Sequence, residues 1–130
     1  MAKIFEFDPV IYPTRLWVTK CTDVKALGKS FVFLDENDEE YKDNISLEPT
    51  TIVRVFSVAH RKSTWMGCLA VINRPKDCDV GIIAHESGHV TDWLCDHLGV
   101  GGFSFMEGEA RQYYAGWVAR NIDKVLKNKV

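Results

Sequence analysis

The spacing of apolar positions changes partway along the chain. Up to about residue 73 they come in short runs rich in β-branched and aromatic residues: 15–21 (RLWVTKC), 30–34 (SFVFL), 52–58 (IVRVFSV) and 68–73 (CLAVIN). Runs of that length and composition predict strands. Gly28 and an acidic stretch (Asp35, Glu36, Asp38, Glu39, Glu40, Asp43) interrupt them, residues 60–67 join the last pair, and Asn73-Arg74-Pro75 closes the region.

Beyond that point the period becomes helical. Asp77 or Asp79 can cap a helix that runs to about Leu98, where Gly99 and then Gly101-Gly102 stop it. Val80, Ile83, Ala84, Val90, Leu94 and Leu98 share one broad side of this helix, the side expected to face a sheet. Ser104 opens a second helix predicted over 105–127. Strands first and helices after predict an α+β fold: a small twisted sheet of about four strands followed by two helices, in a single domain over 1–130.

Composition narrows the function classes. The chain is 46% apolar and 26% charged, as a soluble globular protein should be, and its formal net charge of −2 offers no attraction to nucleic acid or to an anionic membrane. No apolar run is long enough to span a bilayer, and residues 1–9, which carry Glu6 and Asp8, do not read as a signal peptide. The expectation is a cytoplasmic protein in which Cys21, Cys68, Cys78 and Cys95 are free thiols. None of them forms a C-x-x-C pair, so a cysteine-based zinc site is not expected. The acidic stretch lacks the glycine and the closing glutamate of a calcium loop and reads as a solvated hairpin loop.

The chemistry is concentrated at residues 85–89, His-Glu-Ser-Gly-His. On a helix, two histidines four apart lie one turn apart on one face and can converge on a single ion. His85 and His89 are therefore the expected ligands of a zinc ion. Glu86, about 100° further round, is free to act as general base on a water that the ion acidifies. The motif falls mid-helix, opposite the apolar side, with Gly88 leaving space beside the ion. Two surface histidines without a metal are the alternative.

A third protein ligand is needed for a catalytic zinc site. Glu107 and Glu109 both follow the glycine-rich turn. Glu107 already fits a capping box with Ser104 and a helix pairing with Arg111. Glu109 shares a face with Tyr113, Gly116, Trp117 and Arg120, groups suited to packing, where a buried carboxylate needs a partner. Glu109 is thus favoured over Glu107. Tyr113, one turn on, is a candidate donor to an oxyanion, with a packed core tyrosine as the alternative.

Across residues 81–120 the sequence resembles the zincin metallopeptidases, and among them the gluzincins, in which a glutamate on the following helix completes a His-Glu-x-x-His site. The run from Glu109 through Tyr113 to Trp117 is similar to short phage and bacterial relatives of this type. There is no Asn-Glu-x-x-Ser-Asp motif as in thermolysin-like enzymes and no metzincin extension after His89. The resemblance implies zinc bound by His85, His89 and Glu109, an active-site helix beneath a twisted sheet, and a peptide or protein substrate lying along an edge strand. Residues 68–73 are one candidate for that edge, and an ordinary central strand is the other reading.

Around the site, Asp92 and Asp96 fall on the ligand face and could accept a second ring N–H from a ligand histidine, or else cap and solvate. His97 is too far along the helix to ligate, His60 ends a strand, and Trp65, Trp93 and Trp117 either line a pocket or fill the core. The expected activity is zinc-dependent peptide hydrolysis. The rivals are a zincin-like binding protein that keeps its zinc for stability and a regulatory protein that works through its sheet.

Overall fold

The structure is a computed structural model that describes residues 3–130; Met1 and Ala2, part of the stretch read for a leader, lie outside the described residues. Five strands form one mixed sheet: β1 (Ile4–Phe7), β2 (Arg15–Thr19), β3 (Phe31–Phe33), β4 (Val53–His60) and β5 (Met66–Ile72), in the order β1-β2-β5-β4-β3. Among the described residues only the β2–β5 pairing is parallel. A one-turn helix α1 (Val24–Leu27), capped by Asp23, joins β2 to β3, and α2 (Val80–Leu98) and α3 (Glu109–Leu126) complete the α+β architecture.

Alternation along the strands feeds two apolar layers. Leu16, Val18, Cys68, Ala70 and Ile72 pack against Ile83, Val90 and Leu94 of α2 and Val118 and Ile122 of α3. The intervening residues Trp17, Phe56, Val58, Leu69 and Val71 pack on the opposite face with Leu27, Phe31 and Phe33, and Ile45 and Leu47 pack against that layer. β5 lies at the centre of the sheet and is buried on both faces, which explains its nearly unbroken apolar run. The reading of 68–73 as an edge is therefore corrected: β2 and β4 occupy its two sides.

Residues 4–7 form a strand that the sequence reading did not assign, paired antiparallel with β2, which makes five strands rather than four. Asp79, not Asp77, caps α2, with Oδ1 accepting from Ile82 N at 2.9 Å; Asp77 pairs with Arg74 instead. Gly99, at φ +67°, closes the helix with its N–H on Cys95 O. Because α2 packs on both the sheet and α3, its buried arc is Ile83, Ser87, Val90, Thr91, Leu94 and Cys95, and Val80 is left 84% exposed. α3 begins at Glu109 rather than 105. Ser104 does cap a turn, accepting from Glu107 N at 3.2 Å, but the chain then folds back so tightly that a Cβ on Gly102 (φ +87°) would lie 2.0 Å from Glu107 O. That fold-back ends the turn before a helix can propagate. No helix among the described residues is long and apolar enough to cross a membrane.

All four cysteines are free thiols, and three of them are buried. Burial pushes the Cys68 thiol far up, and burial together with Asp79, Glu86 and Asp123 raises Cys78. Thiolate is the reactive form, so a disulfide reagent added to native protein at pH ~8 is expected to titrate one fast thiol, Cys21. The other three should react only on unfolding, and a second fast thiol would contradict the packing described here.

Candidate metal centre

The outer face of α2 carries His85 and His89, and their shared face follows from the helical repeat alone. Their Nε2 atoms converge to 3.1 Å, with the rings at 79°. Two zinc–nitrogen bonds of tetrahedral geometry place their nitrogens about 3.3 Å apart, so this pair is spaced to chelate one ion. The His85 side chain is 66% exposed, so an ion has open access to it. Glu86 Oε1 lies 3.9 Å from His85 Nε2, and ligating atoms of His85, Glu86 and His89 all lie within 4.8 Å of one another.

Glu86 differs from its neighbours in environment. It turns toward the sheet, leaving its side chain 13% exposed. Burial raises the carboxyl above its ordinary range, with His89 and then His85 opposing the shift. A carboxylate held this way is a stronger base than one in water.

Glu86, His89 and Trp93 form one wall of a groove of about 360 Å³ whose other wall is β4, through Val53, Arg54, Val55 and Ser57. Trp93 spans the groove, donating from Nε1 to Ser57 Oγ at 2.8 Å. Trp93 also stacks on His97 at 4.0 Å, and His97 Nε2 meets Asp38 Oδ1 at 2.8 Å, which ties the acidic hairpin loop to the end of α2.

The strand beside the groove is half unpaired. β3 pairs with β4 only from Val58 to His60, and Leu34 N adds one bond to Ser57 O. Ile52 O points the other way, toward Asn73 N beside β5. By alternation the main-chain groups of Val53 and Val55 point to the same side as those of Ser57, past the end of β3, and among the described residues they have no backbone partner there. The first half of β4 is thus an open sheet edge next to Glu86 and His89.

Other candidates lie elsewhere. Glu109 is the first residue of α3, exposed, and outside the His85–Glu86–His89 group. Glu107 precedes the helix and forms no ion pair with Arg111 among the described residues. Tyr113 is 74% exposed; the packed tyrosine is Tyr114, set edge-on against Tyr12 and raised in pKa chiefly by burial. Asp92 and Asp96 make no hydrogen bond to either ligand-type histidine among the described residues. His60 stacks on Trp17 and accepts two backbone N–H groups, a structural role. Trp65 stacks under Arg15, and Trp117 packs beside Tyr114.

Sequence reasoning did not single out Val53, Arg54, Val55 or Ser57 for the site. Their only signal was the alternation of β4, which says nothing about which helix lies opposite. Comparison with family models, curated proteins and solved structures finds no match.

Proposed function

We propose that this protein is a zinc-dependent hydrolase of extended peptides. One observation carries the reading: two Nε2 atoms converge at 3.1 Å beside a shielded carboxylate, in a groove bordered by an open sheet edge. The donor set of two imidazoles with a carboxylate nearby suits zinc. Zinc, when bound, supplies the Lewis acidity that polarises a carbonyl and acidifies water.

The chain's own residues do the rest. With zinc bound, His85 and His89 would turn Nε2 to it and carry their ring protons on Nδ1. The Glu86 carboxylate takes a proton from the attacking water and returns it to the leaving amine. Main-chain groups of Val53 and Val55 hold an extended substrate as an added strand, with Trp93 closing the groove beside Ser57. Glu109 remains the proposed third ligand, by its resemblance to the gluzincin glutamate, and Tyr113 the proposed oxyanion donor.

Elemental analysis tests the site directly. Purified protein is expected to carry about one zinc per chain, lost on His89→Ala. A wild-type chain that takes up no zinc when supplied with it defeats the proposal. A second reading, a zinc-retaining module that binds a strand without cleaving it, draws support from the position of Glu109 outside the cluster.

A further inference from the structure

We infer that the open edge of β4 selects peptides with an acidic residue, aspartate or glutamate, at the position opposite Arg54. The inference rests on the reading above of that edge as the holder of an extended peptide, and it names the side chain the edge prefers. Leu34 already stands opposite Ser57, so an added strand meets Val55, Arg54 and Val53 in turn. Residues directly opposite one another in a sheet turn their side chains to the same face, whichever way the added strand runs.

That alternation sends successive peptide side chains to different surroundings. Val53 packs on the α2 side of the sheet and Phe56 on the other. Peptide residues opposite Val53 and Val55 therefore face Glu86, His89 and Trp93. The residue between them faces a second hollow, of about 290 Å³, across the sheet. Arg54, Val55 and Ser57 line both hollows, so the two meet along the unpaired stretch.

Arg54 is the charge of the second hollow. It is exposed, and its guanidinium stacks on the Phe56 ring at 4.8 Å, which occupies one face and leaves the N–H edge for an acceptor. Among the described residues it forms no ion pair. Tyr41, Asn44 and Ser46 supply neutral polar groups beside it, and no carboxylate of the described residues lines this hollow. The acidic loop contributes instead to a hollow on the α2 side, where Asp35, Glu36 and Asp38 gather with Asp96. An acidic peptide side chain is thus repelled on the α2 face and paired by Arg54 on the other, and a carboxylate matches the guanidinium fork.

The test is a titration of ¹⁵N-labelled protein, with a chelator present so that binding is read without turnover, following the Val53 and Val55 amide signals. The probes are terminally blocked pentapeptides with threonine at each end and a central glutamate, glutamine or lysine between two valines. The glutamate peptide is expected to bind about fivefold more tightly than the glutamine peptide and about twentyfold more tightly than the lysine peptide. Arg54→Gln should bring the glutamate peptide down to the affinity of the glutamine one, which stays unchanged. Arg54→Glu should make lysine the preferred centre, a reversal that a purely structural role for Arg54 cannot produce. Equal affinities for the three peptides in wild type, or the wild-type order kept by folded Arg54→Glu protein, overturns the proposal. Val53 and Val55 signals that none of the peptides moves overturn it too, together with the strand site it rests on. Zinc content and turnover of the same peptides on zinc-supplied protein report on the hydrolytic reading separately.

Discussion

Glu86→Gln is expected to lower turnover of a quenched-fluorescent peptide library by about a thousandfold while zinc content stays at the wild-type level. The substitution keeps the shape of the side chain and removes its basicity. His85 and His89 still converge, since their spacing comes from the helix and not from Glu86. The carboxylate lies 3.9 Å from His85 Nε2, and burial has raised its basicity. Loss of activity together with loss of zinc would mean that Glu86 is a ligand. Unchanged turnover would remove it from the chemistry, and peptide binding without turnover in either protein would establish the non-catalytic reading.

Gly67→Ala is expected to destabilise the fold by about 3 kcal/mol or more, read as a lower urea midpoint at unchanged slope. Gly67 pairs with Arg15 in the parallel β2–β5 ladder, and its added Cβ would lie 1.9 Å from Arg15 O and 2.9 Å from Arg15 C. Those are backbone atoms and cannot turn aside as a side chain would. Thr14 Oγ1, which donates to Met66 O at 2.7 Å, pins the same strand pair, so relief requires β2 and β5 to separate at the middle of the sheet. Gly88→Ala is the control: its Cβ enters open space on a helix, where alanine gains about 0.5–1 kcal/mol over glycine. A Gly67→Ala protein as stable as wild type would show that β2 and β5 do not meet in this register.

These two predictions rest on different kinds of information. The convergence of His85 and His89 was legible in the sequence because a helix brings residues four apart together whatever surrounds it. β2 and β5 were legible as strands, and the stop at Gly99 as a cap, since each depends on a few neighbouring residues. The start of α3 was not: Ser104 carries a real capping signal, and the fold-back of Gly102 onto Glu107, a contact between residues five apart, ends that turn. Its spacing makes Arg111 the surface partner of Glu107, but with Glu107 outside the helix it stacks on Phe103 and lines the inter-helix groove.

By itself, then, the sequence determined the local features: the α+β class, the His-Glu-x-x-His face, the cap at Gly99 and the alternation that loads both sides of the sheet. All of these follow from spacings of one to four residues, where backbone geometry leaves few choices. Tertiary structure alone decided that β5 is central and β4 half open, that Glu86 turns under that edge while His85 and His89 stay exposed, and that Glu109 stands apart from them. Strand order and the distance between a helix and a loop twenty residues on are set by how whole faces bury one another. Faces of equal apolarity can be stacked in more than one order, and no periodicity along the chain distinguishes among them.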